Sequence, residues 1–348
     1  MKQTTFLFLL MVLWNTFLYS QDEKQYKVRT IAFYNVENLF DTINNPSTFD
    51  DDRTPEGKDG WISEYYNDKL DKIARVISEI GAEVIGTSPD IIGLCEIENY
   101  DVLHDLVNNT KLSEKNYGIV HFDSPDDRGI DVALLYKRNV FTPTSFKNYP
   151  LYIYNSDGRR DYTRDQLLVS GLLDGEEIHF IVNHWPSRRG GESRSRPRRE
   201  AAAALNKKII ASLRDINPRA KVISMGDLND DPSSSSLKNI LGTKGKKAKV
   251  KDEDLYNPME EMARKGYGSL AHRDSWNLFD QIFFTAALLE EETSGYRYWK
   301  AGIFNKRYLM TASGRYKGYP FRSYANGSYT GGYSDHFPVY IYLIKEVD

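Results

Sequence analysis

A single cysteine among 348 residues excludes an internal disulfide, so stability has to come from a sizeable apolar core. That residue, Cys95, lies in the apolar run IIGLCEI, where a small buried hydrophobe is expected. Beyond residue 20 no apolar run is long enough to cross a membrane. Basic excess is missing too. The formal net charge is −3, which excludes a protein that coats nucleic acid through its overall field. Any contact with a polyanion has to come from a local patch. Three signatures of other chemistries are also absent: the GxxxxGK phosphate loop, the HExxH zinc pair and the GxSxG nucleophile elbow.

What is present begins with a segment set apart. Lys2 is followed by TTFLFLLMVLWNTFLYS, the length and flanks of a secretory signal peptide. Cleavage is expected near Ser20–Gln21, with export to the periplasm or the medium. The remainder, 40% apolar and 27% charged over the whole chain, has the composition of a soluble globular protein. Linker-like stretches at 40–60, 110–116, 186–197 and 242–254 are too short and too ordinary to divide it. Residues 21–348 therefore read as one domain, expected to be a monomer.

Two strand–helix–strand units stand out. In the first, VRTIAFYNVENLF (28–40) reads as a strand. Leu70, Ile73, Ala74 and Ile77 then follow the helical period, and PDIIGLCEIEN reads as a buried strand ending in acids. In the second, EIHFIVNHWPS is a strand, RREAAAALNKKIIASL a helix and AKVISMGDLND another strand ending in acids. DRGIDVALLYKRN, TRDQLLVSGLL, SWNLFDQIFF and FPVYIYLI add further strands. Many strands with few helices point to two packed sheets with helices outside.

Polar and ionisable groups collect where these strands stop: Asn35, Glu96, His184, Asp227, Asn229, Asp280, Asp335 and His336. One such acid is ordinarily a salt bridge or a cap. Six strand ends behaving alike are harder to explain that way, because unpaired charge at an apolar strand end is costly. Acids converging from several strands repel one another unless a cation sits among them. Oxygen donors with few histidines suit a hard ion, Mg²⁺ or Mn²⁺, in preference to zinc.

The segments FYNVENLF, GLCEIEN, RGIDVALLY, NHWPSRRGG, MGDLND, FDQIFF and YSDHFPV, in this order, resemble the successive motifs of the endonuclease/exonuclease/phosphatase superfamily. The resemblance spans residues 33–340. It implies a four-layer α/β sandwich, two mixed sheets flanked by helices, carrying a metal-dependent phosphoesterase site. His336 would then be the general base that activates water for in-line attack on phosphorus, and Asp280 would fix its tautomer. Glu96 would be the main metal ligand, in a set completed by Asn35, Asp227 and Asp335. Asp227 would orient the nucleophile or bind metal, and Asn35 would position Asp227 or a metal-bound water. Asp335 would face the metal or the attacking water. His184 and Asn229 would donate to phosphate oxygens, and Arg164 would stand at the site rim. Asp131 is expected as an acidic partner of His184, and Glu98 as a solvated neighbour of Glu96.

The catalytic residues do not choose the ester. Six arginines between 188 and 199, the lysines of TKGKKAKVKDED, and the mixture of aromatics and cations in 294–336 suit a nucleic acid strand. An exported endonuclease acting on DNA or RNA is therefore expected. A phosphomonoesterase or lipid-headgroup hydrolase is the alternative, and a catalytically silent binding protein on this fold a second one. The leader reading has a direct check: mass spectrometry of protein recovered from its host should find a mature chain starting near Gln21, and an intact Met1 would refute it.

Overall fold

The computed structural model describes residues 24–155, 157–291 and 294–347, so the leader expected over 1–20 lies outside the described residues. Strands β1 (Gln25–Leu39), β2 (Ile91–Ile97), β3 (Tyr117–His121) and β4 (Asp131–Lys137) begin one sheet. A second is made of β5 (Phe141–Tyr149), β6 (Gln166–Leu173), β7 (Glu176–His184), β8 (Val222–Asp227), β9 (Leu255–Tyr256) and β10 (Asp280–Thr285). The last long strands, β11 (Arg297–Ile303) and β12 (Val339–Val347), return to the first sheet. Strand order is β11-β12-β1-β2-β4-β3 in one sheet and β9-β10-β8-β7-β6-β5 in the other. Both sheets are mixed: β1–β2 and β7–β8 run parallel, and the other pairs run antiparallel.

Side-chain alternation builds the layers. On β1, Ile31 and Phe33 face the other sheet and pack with Phe180, Val182, Met225 and Ile282. Ala32 and Tyr34 point the other way, onto helices α1 (Ser63–Glu79) and α2 (Tyr100–Asn108). The expected stripe of Leu70, Ile73, Ala74 and Ile77 is the buried face of α1. Ala202, Ile209 and Ile210 of α3 (Glu192–Ile216) cover the outer face of the second sheet at Ile181 and Phe283. The result is the four-layer helix–sheet–sheet–helix sandwich that the resemblance implied. Cys95 is fully buried between the sheets. No helix among the described residues is long and apolar enough to cross a membrane.

One linker expectation is corrected. Residues 192–197 open α3 in spite of Pro197. Arg196 pairs with Glu192 one turn back at 2.7 Å, and Arg199, fully buried, holds Asp230 at 2.7 Å. These contacts come from one turn of helix and from a distant segment, and the local composition of 186–197 carries neither.

Register is what positions the site. Asp227 at the end of β8 lies opposite His184 on β7 and opposite Asp280 on β10, so one row of the second sheet carries all three. In the first sheet Asn35 pairs with Cys95, and Phe33 pairs with Val339 just after His336. The row depends on close approach at Gly226, where a Cβ would stand 2.4 Å from the Asn183 carbonyl oxygen. Gly226→Ala should therefore cost about 1–3 kcal/mol, read by chemical denaturation; an unchanged midpoint would show that the row tolerates a side chain there.

Candidate active site

The residues gathered from the strand ends meet at one end of the two sheets. His336 is buried, and its Nδ1 lies 2.6 Å from Asp280 Oδ2. A carboxylate can only accept, so Nδ1 carries the proton and Nε2 faces the cluster. From Nε2, Asp227 Oδ2 and Asp335 Oδ1 are each 3.9 Å away. Ser334 secures the turn: its hydroxyl donates to the Asn35 carbonyl and accepts from the His336 N–H.

Asp227 is the centre. Asn35 Nδ2 donates to its Oδ2 at 3.1 Å and the Asn229 N–H donates to its Oδ1 at 2.9 Å. His184 Nε2 lies 3.7 Å from Asp227 Oδ2 and 3.9 Å from Glu96 Oε1, bridging the two acids. Glu96 Oε2 accepts from the Asn38 N–H at 3.0 Å. The approach is made by irregular backbone. Glu37, Asn38 and Glu96 all have positive φ (53°, 54° and 62°), and the pairing of β1 with β2 shifts register between Asn35 and Leu39. Such strain persists where surrounding contacts over-determine it, and it clusters at functional sites.

The electrostatics match a site built for a cation. Burial raises Asp227 well above the usual carboxylate range, with Asp280 and Glu96 adding to it and His336 opposing. Burial disfavours the charged form of His336, but Asp280, Asp227 and Asp335 outweigh it and hold the imidazole well above its ordinary value. His184 goes the other way: burial, then Arg164 and Arg128, keep it neutral. His184 Nδ1 and Asp280 Oδ1 are buried with no hydrogen-bond partner among the described residues. A buried acid and a partly exposed one on either side of a neutral imidazole, with an oxygen-rich donor set, fit a hard divalent ion at Glu96 and Asp227.

Three expectations change, and Asn35 takes one of the two roles expected of it, positioning Asp227. Asp131 does not meet His184. The shift between β2 and β4 sets it opposite Ile97, where His121 on β3 takes it at 3.1 Å and Ser124 N–H donates to its other oxygen at 2.7 Å. Glu98 is not solvated. Beyond the end of β2 it turns inward to accept from the Asp41 N–H at 2.7 Å, and burial pushes it up to about 8. Arg164 is not on an open rim but buried, with Nη1 on Asp126 at 2.9 Å and Nη2 donating to the Trp185 carbonyl at 2.9 Å. Asn35 presents its amide nitrogen to Asp227, while its oxygen accepts from the Glu37 N–H, so it buttresses that carboxylate. Asn229 Nδ2 donates to the same Trp185 carbonyl at 3.0 Å.

Sequence reasoning missed Glu37, Lys69, Arg128 and Arg322. Buried Glu37 accepts from the Ser323 N–H and hydroxyl, and Lys69, fully buried, donates to Ser323 Oγ and the Glu37 carbonyl. Arg322 ties Glu37 to Asp335, reaching Asp335 Oδ2 at 2.6 Å. Arg128 approaches Glu96 at 3.8 Å. The one available signal was Glu37, an acid two residues past Asn35 at a strand end.

The family model described as Endonuclease/Exonuclease/phosphatase family matches residues 30–345. The chain belongs to that family. Its members are metal-dependent phosphoester hydrolases, nucleases and phosphatases among them, and the chain is an enzyme of this class. No curated protein matches it in sequence. Solved structures share the fold at low identity. An endonuclease/exonuclease/phosphatase family protein from Bacteroides thetaiotaomicron is 17% identical, with TM-score 0.54, over 93% of this chain and 97% of that one. Mannosyl-6-phosphatase of Bacteroides thetaiotaomicron VPI-5482 is 18% identical, with TM-score 0.52, over 90% and 99%. D. rerio TDP2 complexed with single strand DNA product is 13% identical, with TM-score 0.53, over 91% and 99%.

Asp280 is the strongest influence raising His336, so Asp280→Asn removes a negative charge and should move the His336 midpoint down toward its ordinary value of about 6.5. An imidazole NMR titration of metal-free protein reads this, and an unmoved midpoint would dismiss the pairing as electrostatically idle.

Proposed function

We propose that the protein is a divalent-metal-dependent hydrolase of a small phosphate ester, with Mg²⁺ or Mn²⁺ as its ion. The observation that carries this reading is the His336–Asp280 pair aimed across 3.9 Å at the buried Asp227. His336 Nε2 takes the proton of the attacking water, and Asp280 holds the ring and the resulting positive charge. Asp227, buttressed by Asn35, orients that water or shares the ion with Glu96, and Asp335 faces the same space from the other side of His336. Neutral His184 donates to a phosphate oxygen, and the second N–H of the Asn229 amide is free for another. Arg164 acts from below, fixing the Trp185 carbonyl that Asn229 also holds. A divalent ion held by Glu96 and Asp227 would neutralise charge among the acids and polarise the phosphoryl group.

Size is argued from charge. Four of the six arginines behind the nuclease expectation are held by partners within the protein. Arg188 is held by the Asn229 carbonyl, Asp230 and Asp231, Arg196 by Glu192, Arg198 by Asp161, and Arg199 by Asp230. In the aromatic segment Arg75 covers Tyr308, and Lys300 lies over Trp299 and Tyr342. Arg189, Arg194, Lys246, Lys247, Lys249 and Lys251 stay exposed, so the cations left for a phosphate backbone lie in two separate stretches of the chain. A nuclease remains the second reading because of Trp276. It is 41% exposed and stacks on Phe337 beside His336, a platform on which a base could lie. TDP2, of the same fold, has been seen with a DNA strand. Export, as the leader implies, belongs to the same reading.

Purified protein with Mg²⁺ should hydrolyse p-nitrophenyl phosphate or another small ester, lose this on chelation, and regain it when the ion returns. His336→Ala should cost roughly 10²–10⁴ in kcat. Cleavage of plasmid or RNA with no turnover of any small ester would reverse the order of the two readings.

A further inference from the structure

A cleft of ≈ 350 Å³ lies against the catalytic cluster, within the size range of small-molecule sites. Its inner end is Glu37 and Asn38, where β1 finishes. Its walls are residues 53–61 and the short hairpin that pairs Tyr324 with Tyr329. It shares groups with the cluster: the Asn38 N–H is bonded to Glu96 and the Arg322 guanidinium to Asp335. The cleft therefore abuts the cluster through these two residues.

The lining selects by chemistry. Its two arginines are held by carboxylates. Arg53 pairs with Asp59 at 3.0 Å, Arg322 sits between Glu37 and Asp335, and Lys58 is 4.0 Å from Asp52. A second phosphate would meet carboxylate oxygens as closely as cations. A nucleobase needs an open ring face, and Tyr324 offers none: Arg53 lies over it at 5.4 Å, with Trp61 and Tyr329 packed at 6.0 and 6.1 Å. What remains is a wall dense in both donors and acceptors, built of two arginines each held by carboxylates, the exposed Lys58 and the exposed amide of Asn326. Its complement is an uncharged group that donates and accepts at each position, a ring carrying several hydroxyls. Arginine forks and carboxylates take vicinal hydroxyls in pairs.

We propose that this cleft seats the sugar ring of a hexose phosphate whose phosphoryl group lies at the Asp227–His336 cluster, with Arg53, Asp59, Arg322 and Asn326 as its specificity-determining residues. The proposal rests on the phosphoesterase reading of that cluster and names the leaving group that the reading left open.

The test compares glucose 6-phosphate, myo-inositol 1-phosphate and p-nitrophenyl phosphate with Mg²⁺, in wild type, Asn326→Gly and Arg53→Gln. Asn326 has φ +54°, so glycine removes the amide without straining the turn. The ratio of kcat/KM for glucose 6-phosphate to that for p-nitrophenyl phosphate should fall about tenfold in each variant, the worth of one hydrogen bond of about 1.4 kcal/mol. An unchanged ratio in both overturns the cleft. Turnover of p-nitrophenyl phosphate with none of glucose 6-phosphate also overturns it, while the phosphoesterase site stands. A preference for the inositol ester overturns the hexose assignment. Should no ester be turned over, the phosphoesterase reading fails, and saturation-transfer NMR with glucose 6-phosphate decides the cleft separately: contact with the ring protons that Asn326→Gly abolishes supports it, and no contact overturns it.

Discussion

The Asp227 carboxylate is the constraint around which the site is organised. It is buried between two sheets, with Asp280 and Glu96 close enough to raise it and an amide, a backbone N–H and two imidazoles around it. Concentrating acids out of water is unfavourable, and a fold holds them there only if something else fixes their positions. Here that is the hydrogen-bonded register of β7, β8 and β10. The row His184–Asp227–Asp280 is set by ladder geometry and by the apolar packing of Phe180, Met225 and Ile282 behind it. The core therefore supplies the rigidity against which the acids are held, and a divalent ion would relieve the repulsion.

The two histidines at this centre are driven apart by their surroundings. His336 has three carboxylates within reach and is pushed up; His184 is pushed down by burial first, then by Arg164 and Arg128. One imidazole is thereby suited to hold a proton beside an acid, and the other to remain a neutral donor. Opposite shifts in neighbouring titratable groups are how one pocket divides acid, base and binding roles.

Legibility followed range. Strand ends bearing acids can be read locally, because an apolar run that stops at a charge is visible in a dozen residues, and this found Glu96, Asp227, Asp280 and His336. The layers could be read as well, since Ile31 and Phe33 alternate with Ala32 and Tyr34. Whatever depended on a register shift or a distant partner was hidden. Asp131 changed partner because the β2–β4 pairing slips by a residue at Glu96, and Glu98 turned inward to a partner 57 positions away, the Asp41 N–H. The arginine-rich stretch looked like a loose basic loop because Asp230, which buries Arg199, lies 31 positions further on. Glu37 and Arg322 are separated by 285 residues and meet only because β12 pairs with β1 and brings the preceding hairpin to the end of that strand.

The spending of arginines on internal partners bears on how an ester reaches the site. With a net charge of −3 and most of the 188–199 cations neutralised, no broad field draws a polyanion along the surface. At the cluster, Arg128 beside Glu96 and Arg322 beside Asp335 add local positive charge. A substrate recognised this way carries its charge at one end and is held elsewhere by hydrogen bonds and shape. A long phosphodiester strand makes the opposite demand, repeated cations at the spacing of its backbone. The same sandwich can host either chemistry, and the pairing of Arg188, Arg196, Arg198 and Arg199 is why the small ester is the reading we propose.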